Sequence, residues 1–242
     1  MASDERGWVA WVDPGRGSPE LLVYDLTARE VLASRLLPSV GSRRDGVGGD
    51  GHPIALDQET LFYATRDGEY AWTVIDGGTE RVEPAGLLAV ASGTRVWQAD
   101  PTTITMVQPF FSISFRRPGT GAQISPDGNR VLTRTLDERD GRGGSSGTVR
   151  LYDTRSGESL WTGLRAGDLP VAATLGPETE VNYLVAHPAD APGHESFVRQ
   201  SSSSPFELRT CDHEARRCRV VAQIPLAGAP PALAVLTGGP RR

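Results

Sequence analysis

The feature that most constrains the fold is a short recurring pattern: an alternating strand reaches an Asp, a polar turn follows, and a second strand begins. It is clearest in ELLVYDLTAREVLA (20–33) and TVRLYDTRSGESLW (148–161). A short acidic side chain at a strand end accepts hydrogen bonds from the N–H groups of the following turn, so we assign these residues a structural role. With three weaker copies, the predicted turn residues are Asp25, Asp76, Asp100, Asp153 and Asp212.

The spacing around each Asp predicts a single hairpin geometry used five times. The residue before the Asp and the residue six positions after it should face each other across the hairpin. The predicted facing pairs are Tyr24 with Val31, Ile75 with Val82, Ala99 with Met106, Tyr152 with Ser159, and Cys211 with Cys218.

A further apolar segment lies upstream of each hairpin, and three of these segments contain a turn of their own, at 57–59, 126–128 and 176–178. The repeating unit is therefore four strands, and no segment has a helical period. Four-stranded units repeated head to tail are typical of a β-propeller. We predict an all-β fold, a β-propeller of five four-stranded blades, with six blades or an incomplete propeller as alternatives.

The units predict one β-propeller domain over residues 1–242, with a blade boundary after each hairpin. The blades are expected at 7–38 plus 231–237, 51–83, 84–119, 120–166 and 167–226. The first unit begins directly at GWVAWV, whereas PALAVLTGG (231–239) is left over at the C-terminus. We expect this segment to supply the first strand of the first blade, which would remove an open sheet edge. Deletion of 230–242 is then expected to lower stability greatly.

Two stretches resemble a known class of repeats. ISPDGNRVL (124–132) is similar to the loop between the first two strands of WD40-type and TolB-like (PD40) propeller blades. VRLYDTRSGE (149–158) resembles their third strand and the turn after it. The resemblance is close over 121–162 and looser over 20–33, and it implies a propeller fold. Because every basic residue is Arg, the chain also resembles the uncharacterised propeller proteins of actinobacteria.

Charge and motifs exclude several function classes. A net charge of −5 with scattered Arg residues argues against nucleic-acid binding. The chain has no apolar run of 18 residues, so we predict no transmembrane segment. The G-x-G-x-x-G match at 46–51 lacks the preceding strand and following helix of a dinucleotide site. The Gly-rich stretch at 141–148 has no Lys and cannot be a Walker loop.

Candidate ligands for a metal are few. His187 and His194 lie seven positions apart, but no third ligand is placed near them by the sequence. The acidic stretch 137–144 lacks the regular oxygen spacing of a calcium loop. We therefore predict no catalytic residue, no cofactor-binding residue, no metal-binding residue and no cofactor.

The two cysteines, Cys211 and Cys218, form one of the predicted facing pairs. Facing residues in an antiparallel pair lie about 4.5–5.5 Å apart at Cα, which suits a disulfide. We predict a disulfide between them, and two reduced thiols are the alternative. A stable disulfide favours an extracytoplasmic location, although the N-terminus has no signal-peptide pattern, whereas reduced thiols would favour the cytoplasm.

The predicted function is a non-catalytic binding or scaffold module, because propellers present loops on a rigid framework and no catalytic pattern is present. Its partner is expected to be a protein or a small ligand. The alternative is a propeller enzyme, a hydrolase or lyase, with its site in the central channel. Polar groups about 40–50 residues apart would converge there, which a single sequence cannot display.

Overall fold

The structure, a computed structural model, describes residues 2–3, 6–14, 19–37, 51–108, 112–135, 148–186 and 206–224. These residues form strands and turns, with no helix among them. The strands make five four-stranded antiparallel sheets, each built from four consecutive strands. The prediction of an all-β, propeller-type fold with five four-stranded blades is confirmed for the described part of the chain.

The first compact unit comprises residues 1–116 and 126–129 and contains the first three sheets. The first sheet consists of β1 (Ala2–Ser3), β2 (Trp8–Asp13), β3 (Glu20–Asp25) and β4 (Glu30–Leu36). The second consists of β5 (Gly51–Asp57), β6 (Thr60–Thr65), β7 (Gly68–Thr73) and β8 (Thr79–Arg81). The third consists of β9 (Leu87–Ala91), β10 (Thr94–Asp100), β11 (Thr103–Gln108) and β12 (Ile113–Pro118), and the end of β12 passes into the second unit.

The second compact unit comprises residues 117–125 and 130–242 and contains the last two sheets. The fourth sheet consists of β13 (Thr120–Ile124), β14 (Arg130–Thr135), β15 (Thr148–Asp153) and β16 (Ser159–Leu160). The fifth consists of β17 (Leu169–Leu175), β18 (Glu180–Ala186), β19 (Phe206–Asp212) and β20 (Arg217–Ile224).

Strand alternation places the apolar cores between neighbouring sheets, because successive side chains point to opposite faces. In the first unit, Leu21 of β3 and Leu61 of β6 are fully buried in one cluster shared by the first and second sheets. A second cluster, which includes Phe62 and Trp97, joins the second and third sheets. The second sheet is therefore packed on both faces, and this fixes the position of the site described below.

The core of the second unit lies between the fourth and fifth sheets and includes Leu151 and Tyr183, both fully buried. A charged cluster lies in the same unit. The Arg209 guanidinium donates to Asp168 Oδ2 and to Glu207 Oε1, each at 2.6 Å. The side chains of Arg209 and Asp168 are only 3% and 5% exposed, so this ion pair is removed from solvent.

The start of the first sheet corrects one expectation. The first unit was expected to lack a leading strand, but β1 pairs with β2 through Ala2 with Ala10 and Ser3 with Val9. A strand of two residues is too short to show an alternating pattern in the sequence. The segment 231–239 lies outside the described residues, so its role in closing the first blade stays a prediction.

Candidate functional site

A cleft of about 470 Å³ lies between the second and third sheets of the first unit. It is bordered by residues of three turns, which join β5 to β6, β7 to β8 and β9 to β10. Its volume falls in the range of about 300–1,000 Å³ that is usual for ligand-binding pockets.

The floor of the cleft is apolar. Phe62, Ala71 and Val90 are 3%, 4% and 5% exposed and belong to the cluster that joins the two sheets. Phe62 and Ala71 are register partners on β6 and β7, and Val90 is the partner of Arg95 on β9 and β10. Paired residues of neighbouring strands project to the same face of a sheet, so all four side chains reach the space between the sheets.

Arg95 supplies a cation to this cleft. Its guanidinium carbon lies 5.4 Å from the centre of the Phe62 ring, an arrangement that holds the side chain by a cation–π interaction. Across the described ranges, no hydrogen bond or ion pair engages the guanidinium. Because Arg95 lines the cleft, its N–H donors are available to a molecule bound there.

Two hydroxyl groups lie beside the apolar floor. Thr60 on β6 and Thr73 on β7 are register partners and line the same cleft. A threonine hydroxyl offers one donor and two acceptor lone pairs. The lining therefore combines an apolar surface, a cation and polar groups able to orient a ligand.

Asp57 joins the two walls of the cleft at the turn end. Its Oδ1 accepts from the backbone N–H of Ser92 at 2.8 Å, and its Oδ2 accepts from that of Gly93 at 2.9 Å. Both carboxylate oxygens are therefore occupied by the turn of the neighbouring sheet. Charged hydrogen bonds of this kind are stronger than neutral ones, so Asp57 fixes the separation of the walls.

The described lining contains few of the residue types that act as nucleophiles, bases or metal ligands. Its described residues include no His, Cys or Ser that could act as a nucleophile or base beside the carboxylates. In the described part of the chain, no group of three or more His, Cys, Asp or Glu is arranged to hold a metal ion. The described lining offers an apolar floor, one guanidinium, two carboxylates and threonine hydroxyls to a molecule in the cleft.

The predicted disulfide is present in the second unit. Cys211 on β19 and Cys218 on β20 are register partners, with an S–S distance of 2.06 Å and Cα atoms 4.0 Å apart. Gly163 packs directly against the bond, at a φ of +75°. A Cβ at this position would lie 2.6 Å from Cys211 Sγ, so the disulfide requires a glycine beside it.

Three of the predicted turn aspartates end the third strand of their sheets. Their carboxylates accept from the backbone N–H groups two and three residues later, at distances of 2.7–3.0 Å: Asp25 from Thr27 and Ala28, Asp153 from Arg155 and Ser156, and Asp212 from Glu214 and Ala215. The Ala28 N–H holds the pKa of Asp25 below its ordinary value, and the Ala215 N–H does the same for Asp212.

The other two aspartates lie elsewhere in their sheets. Asp100 ends β10 and accepts from the Thr102 N–H at 3.0 Å, but this turn joins the second and third strands of its sheet. Asp76 lies inside the turn after β7, which ends three residues earlier at Thr73. The predicted facing pairs Ile75 with Val82 and Ala99 with Met106 are therefore wrong. In the second sheet the Asp does not lie at the end of a strand, and in the third sheet it ends the second strand, not the third.

The turns after β3, β7 and β15 share a backbone conformation, although the turn after β7 has no Asp at its strand end. The residue four positions after the strand end has a positive φ, as in Arg29, Gly77 and Gly157. Its N–H donates to the carbonyl of the strand's last residue at 2.8–2.9 Å. Thr73 thus holds in the second sheet the place that Asp25 holds in the first.

The remaining sequence motifs mostly lie outside the described residues. These include His187, His194 and nearly all of the Gly-rich and acidic stretches at 46–51 and 137–148. His52 is an exposed residue of β5, and His213 lies in the turn after β19. Within the described ranges, no helix is long and apolar enough to cross a membrane.

The comparisons with known proteins support the fold alone. No protein-family model matches the sequence, and no curated protein matches it. The chain is similar to a chain in the crystal structure of the mitotic checkpoint complex, with a TM-score of 0.51 and 13% identity over 93% of this chain and 66% of that one. It is also similar to dipeptidyl peptidase 4 of Porphyromonas gingivalis, with a TM-score of 0.51 and 8% identity over 93% of this chain and 39% of that one.

TolB from Acinetobacter baumannii is a weaker match, with a TM-score of 0.42 and 12% identity over 89% of this chain and 68% of that chain. This chain spans between 30% and 66% of the length of the first four structures that it matches. At these identities the likeness concerns the arrangement of strands, and it transfers no activity.

Sequence reasoning missed the two residues that define the cleft. The sequence predicts Asp57 only as part of a turn, whereas its hydrogen-bond partners are 35 and 36 positions away in the next sheet. Arg95 stands in an ordinary alternating strand. The feature of the sequence that could have indicated Arg95 is that it is a charged residue on an otherwise apolar face of the strand. In the structure it lies opposite Val90.

Proposed function

We propose that this chain is a propeller-type interaction module that binds an extended segment of a protein partner in the cleft between the second and third sheets. The observation that carries this proposal is the Arg95 guanidinium, held over Phe62 in a preformed cleft and engaged by no other described residue. The finer assignment to WD40-like or TolB-like repeats of the actinobacterial kind belongs to the same proposal and rests on the sequence resemblance.

The outer rim of the cleft favours an extended segment. Strand β8 is the last strand of its sheet, and its three residues are all exposed. Two of them, Thr79 and Glu80, also line the cleft. An extended chain that runs along such an edge gains backbone hydrogen bonds while its side chains enter the neighbouring space.

The Asp57 contacts support binding with little rearrangement. Because this side chain joins the two walls through the Ser92 and Gly93 N–H groups, the cleft is already formed in the free protein. Preformed sites lose less conformational entropy when a ligand binds. We expect the backbone of the walls to move little on binding.

Substitution at Gly78 tests the site. This residue lines the cleft, its φ is not in the left-handed region, and a Cβ there would meet no atom within 4 Å. The Gly78→Trp variant should therefore fold and obstruct the cleft. The matched control is Asp76→Trp, at an exposed position of the same turn that does not line the cleft.

The probe is a phage-displayed library of random twelve-residue peptides, selected on the full chain and followed by fluorescence polarisation of the enriched peptides. We expect peptides that bind the unmodified protein and Asp76→Trp equally and bind Gly78→Trp at least tenfold more weakly. A selection without enrichment, or peptides that bind Gly78→Trp as well as the unmodified protein, would refute the proposal.

A further inference from the structure

We infer that the bound segment presents a carboxylate side chain, Asp or Glu, to Arg95. This inference rests on the proposed function and specifies the chemistry that the cleft recognises. Arg95 is the only basic residue among the described residues that line it. A guanidinium presents its N–H groups as a planar fork that matches the two oxygens of a carboxylate.

The apolar surroundings strengthen this preference. Arg95 lies against the ring of Phe62 and beside buried Val90, so its side chain has little freedom. Fewer conformations are then lost when a carboxylate docks. Partial exclusion of water also lowers the local dielectric constant, which increases the attraction between the two charges.

Two hydroxyl groups that line the same cleft as Arg95 can add to the recognition. Thr60 and Thr73, paired across β6 and β7, can donate their hydroxyl protons to the same carboxylate. Asp57 is not a partner of Arg95 among the described residues: its two oxygens accept backbone N–H groups of the next sheet, and no ion pair joins the two side chains. The guanidinium is therefore the centre of positive charge in the cleft.

Glu80 limits how much negative charge the cleft accepts. It is exposed on β8 at the rim, and with Asp57 it gives the lining one more acidic than basic side chain. A single carboxylate that reaches past the rim to Arg95 is favoured, whereas a highly charged anion is repelled. Glu80→Gln should therefore tighten the binding of an acidic peptide.

The test uses the three most enriched peptides from the selection described above. Each is synthesised in its original form and with every Asp and Glu replaced by Asn and Gln. Binding is measured to the unmodified protein and to Arg95→Gln, Arg66→Gln and Glu80→Gln. Arg66 is the matched control, since it is an exposed Arg in the turn between β6 and β7 of the second sheet and does not line the cleft.

We expect the acidic peptides to bind the unmodified protein and Arg66→Gln at least tenfold more tightly than their amide forms, as a charge-assisted hydrogen bond implies. This preference should disappear in Arg95→Gln and increase in Glu80→Gln. Circular dichroism checks that each variant is folded, and the Glu80→Gln result tests the inference even if Arg95→Gln does not fold.

The inference is overturned if the amide forms bind as tightly as the acidic ones, or if the acidic preference survives in Arg95→Gln or is unchanged in Glu80→Gln. Such a result does not contradict the proposed function as long as the peptides still bind Gly78→Trp at least tenfold more weakly than the unmodified protein. Loss of the Gly78→Trp effect refutes the proposed function itself, so the two failures can be told apart.

Discussion

Replacing Arg209 by methionine tests the buried charge cluster of the second unit. Methionine preserves much of the apolar stem and removes only the guanidinium that joins Asp168 and Glu207. Removing one partner of a buried ion pair costs about 3–5 kcal/mol, because the remaining charge is left in a poorly solvated place. For a chain of this size, each kcal/mol corresponds to about 2–4 °C in Tm. We expect Tm to fall by roughly 6–20 °C.

The pH dependence of this variant gives an independent readout. Without the cation, the largely buried Asp168 and Glu207 carboxylates are left as unpaired charges, and protonation at low pH removes that charge. A group with a raised pKa in the folded state stabilises the fold at low pH and loses that contribution as pH rises. The stability gap between Arg209→Met and the unmodified protein should therefore narrow as pH falls from 7 to 5.

The assays are thermal unfolding, which gives Tm, and urea unfolding, which gives the free energy; both are followed by tryptophan fluorescence. Arg219→Met is the matched control, because Arg219 pairs with Glu180 at 3.5 Å and its side chain is 67% exposed. An exposed ion pair contributes less than about 1 kcal/mol, so this variant should unfold close to the unmodified protein. An Arg209→Met variant that loses less than about 1 kcal/mol would refute the assignment of a stabilising buried charge cluster.

Two further predictions concern the second unit. Gly163→Ala should lower the free energy of unfolding by about 1–3 kcal/mol more than Gly167→Ala does. Both glycines have a positive φ, but only a Cβ at Gly163 would meet the disulfide at Cys211. Equal urea midpoints for the two variants would contradict this prediction. Burial, and then the Arg130 guanidinium, lower the pKa of His213 below its ordinary 6.5. The unfolded chain then binds more protons than the folded chain as the pH falls below about 6.5, so acid lowers stability. The urea midpoint of the unmodified protein should fall between pH 7 and 5.5, and that of His213→Gln should fall less. Parallel plots of urea midpoint against pH for the two proteins would contradict this prediction.

The strands and the disulfide could be predicted because both depend on local patterns. The alternation of apolar residues and the positions of the turns predict strands β3, β15 and β19 from the sequence alone. The Cys211–Cys218 pairing follows from the register of one hairpin. In such cases the residues that interact lie within a few positions of each other, and the chain geometry leaves little choice.

The third strand of the third sheet was misplaced for a physical reason. The sequence shows only which side chain ends a strand, and the Asp at the end of β10 resembles the aspartates that end the third strands of other sheets. Its carboxylate does cap a turn, through Thr102, but any strand end can be capped in this way. The number of strands that precede the turn is set by pairing along the sheet, which an isolated Asp does not record.

The cleft could not be predicted because its parts come from different sheets. Phe62 and Arg95 are 33 positions apart in the chain, and their contact depends on how two sheets pack. Asp57 shows the same limit, since its acceptor role depends on a turn in the neighbouring sheet. A single sequence contains these residues but not the packing that brings them together.

The turns after the third strands have a consequence for how such sequences diverge. In the second sheet the turn closes through the Gly77 N–H and the Thr73 carbonyl, with no Asp at the strand end. Because the backbone completes the turn by itself, an Asp can be lost from one copy without loss of the hairpin. Copies of such a turn can therefore differ in sequence while they keep the same backbone geometry. A search for related proteins should accordingly score the position of positive φ along each hairpin as well as residue identity.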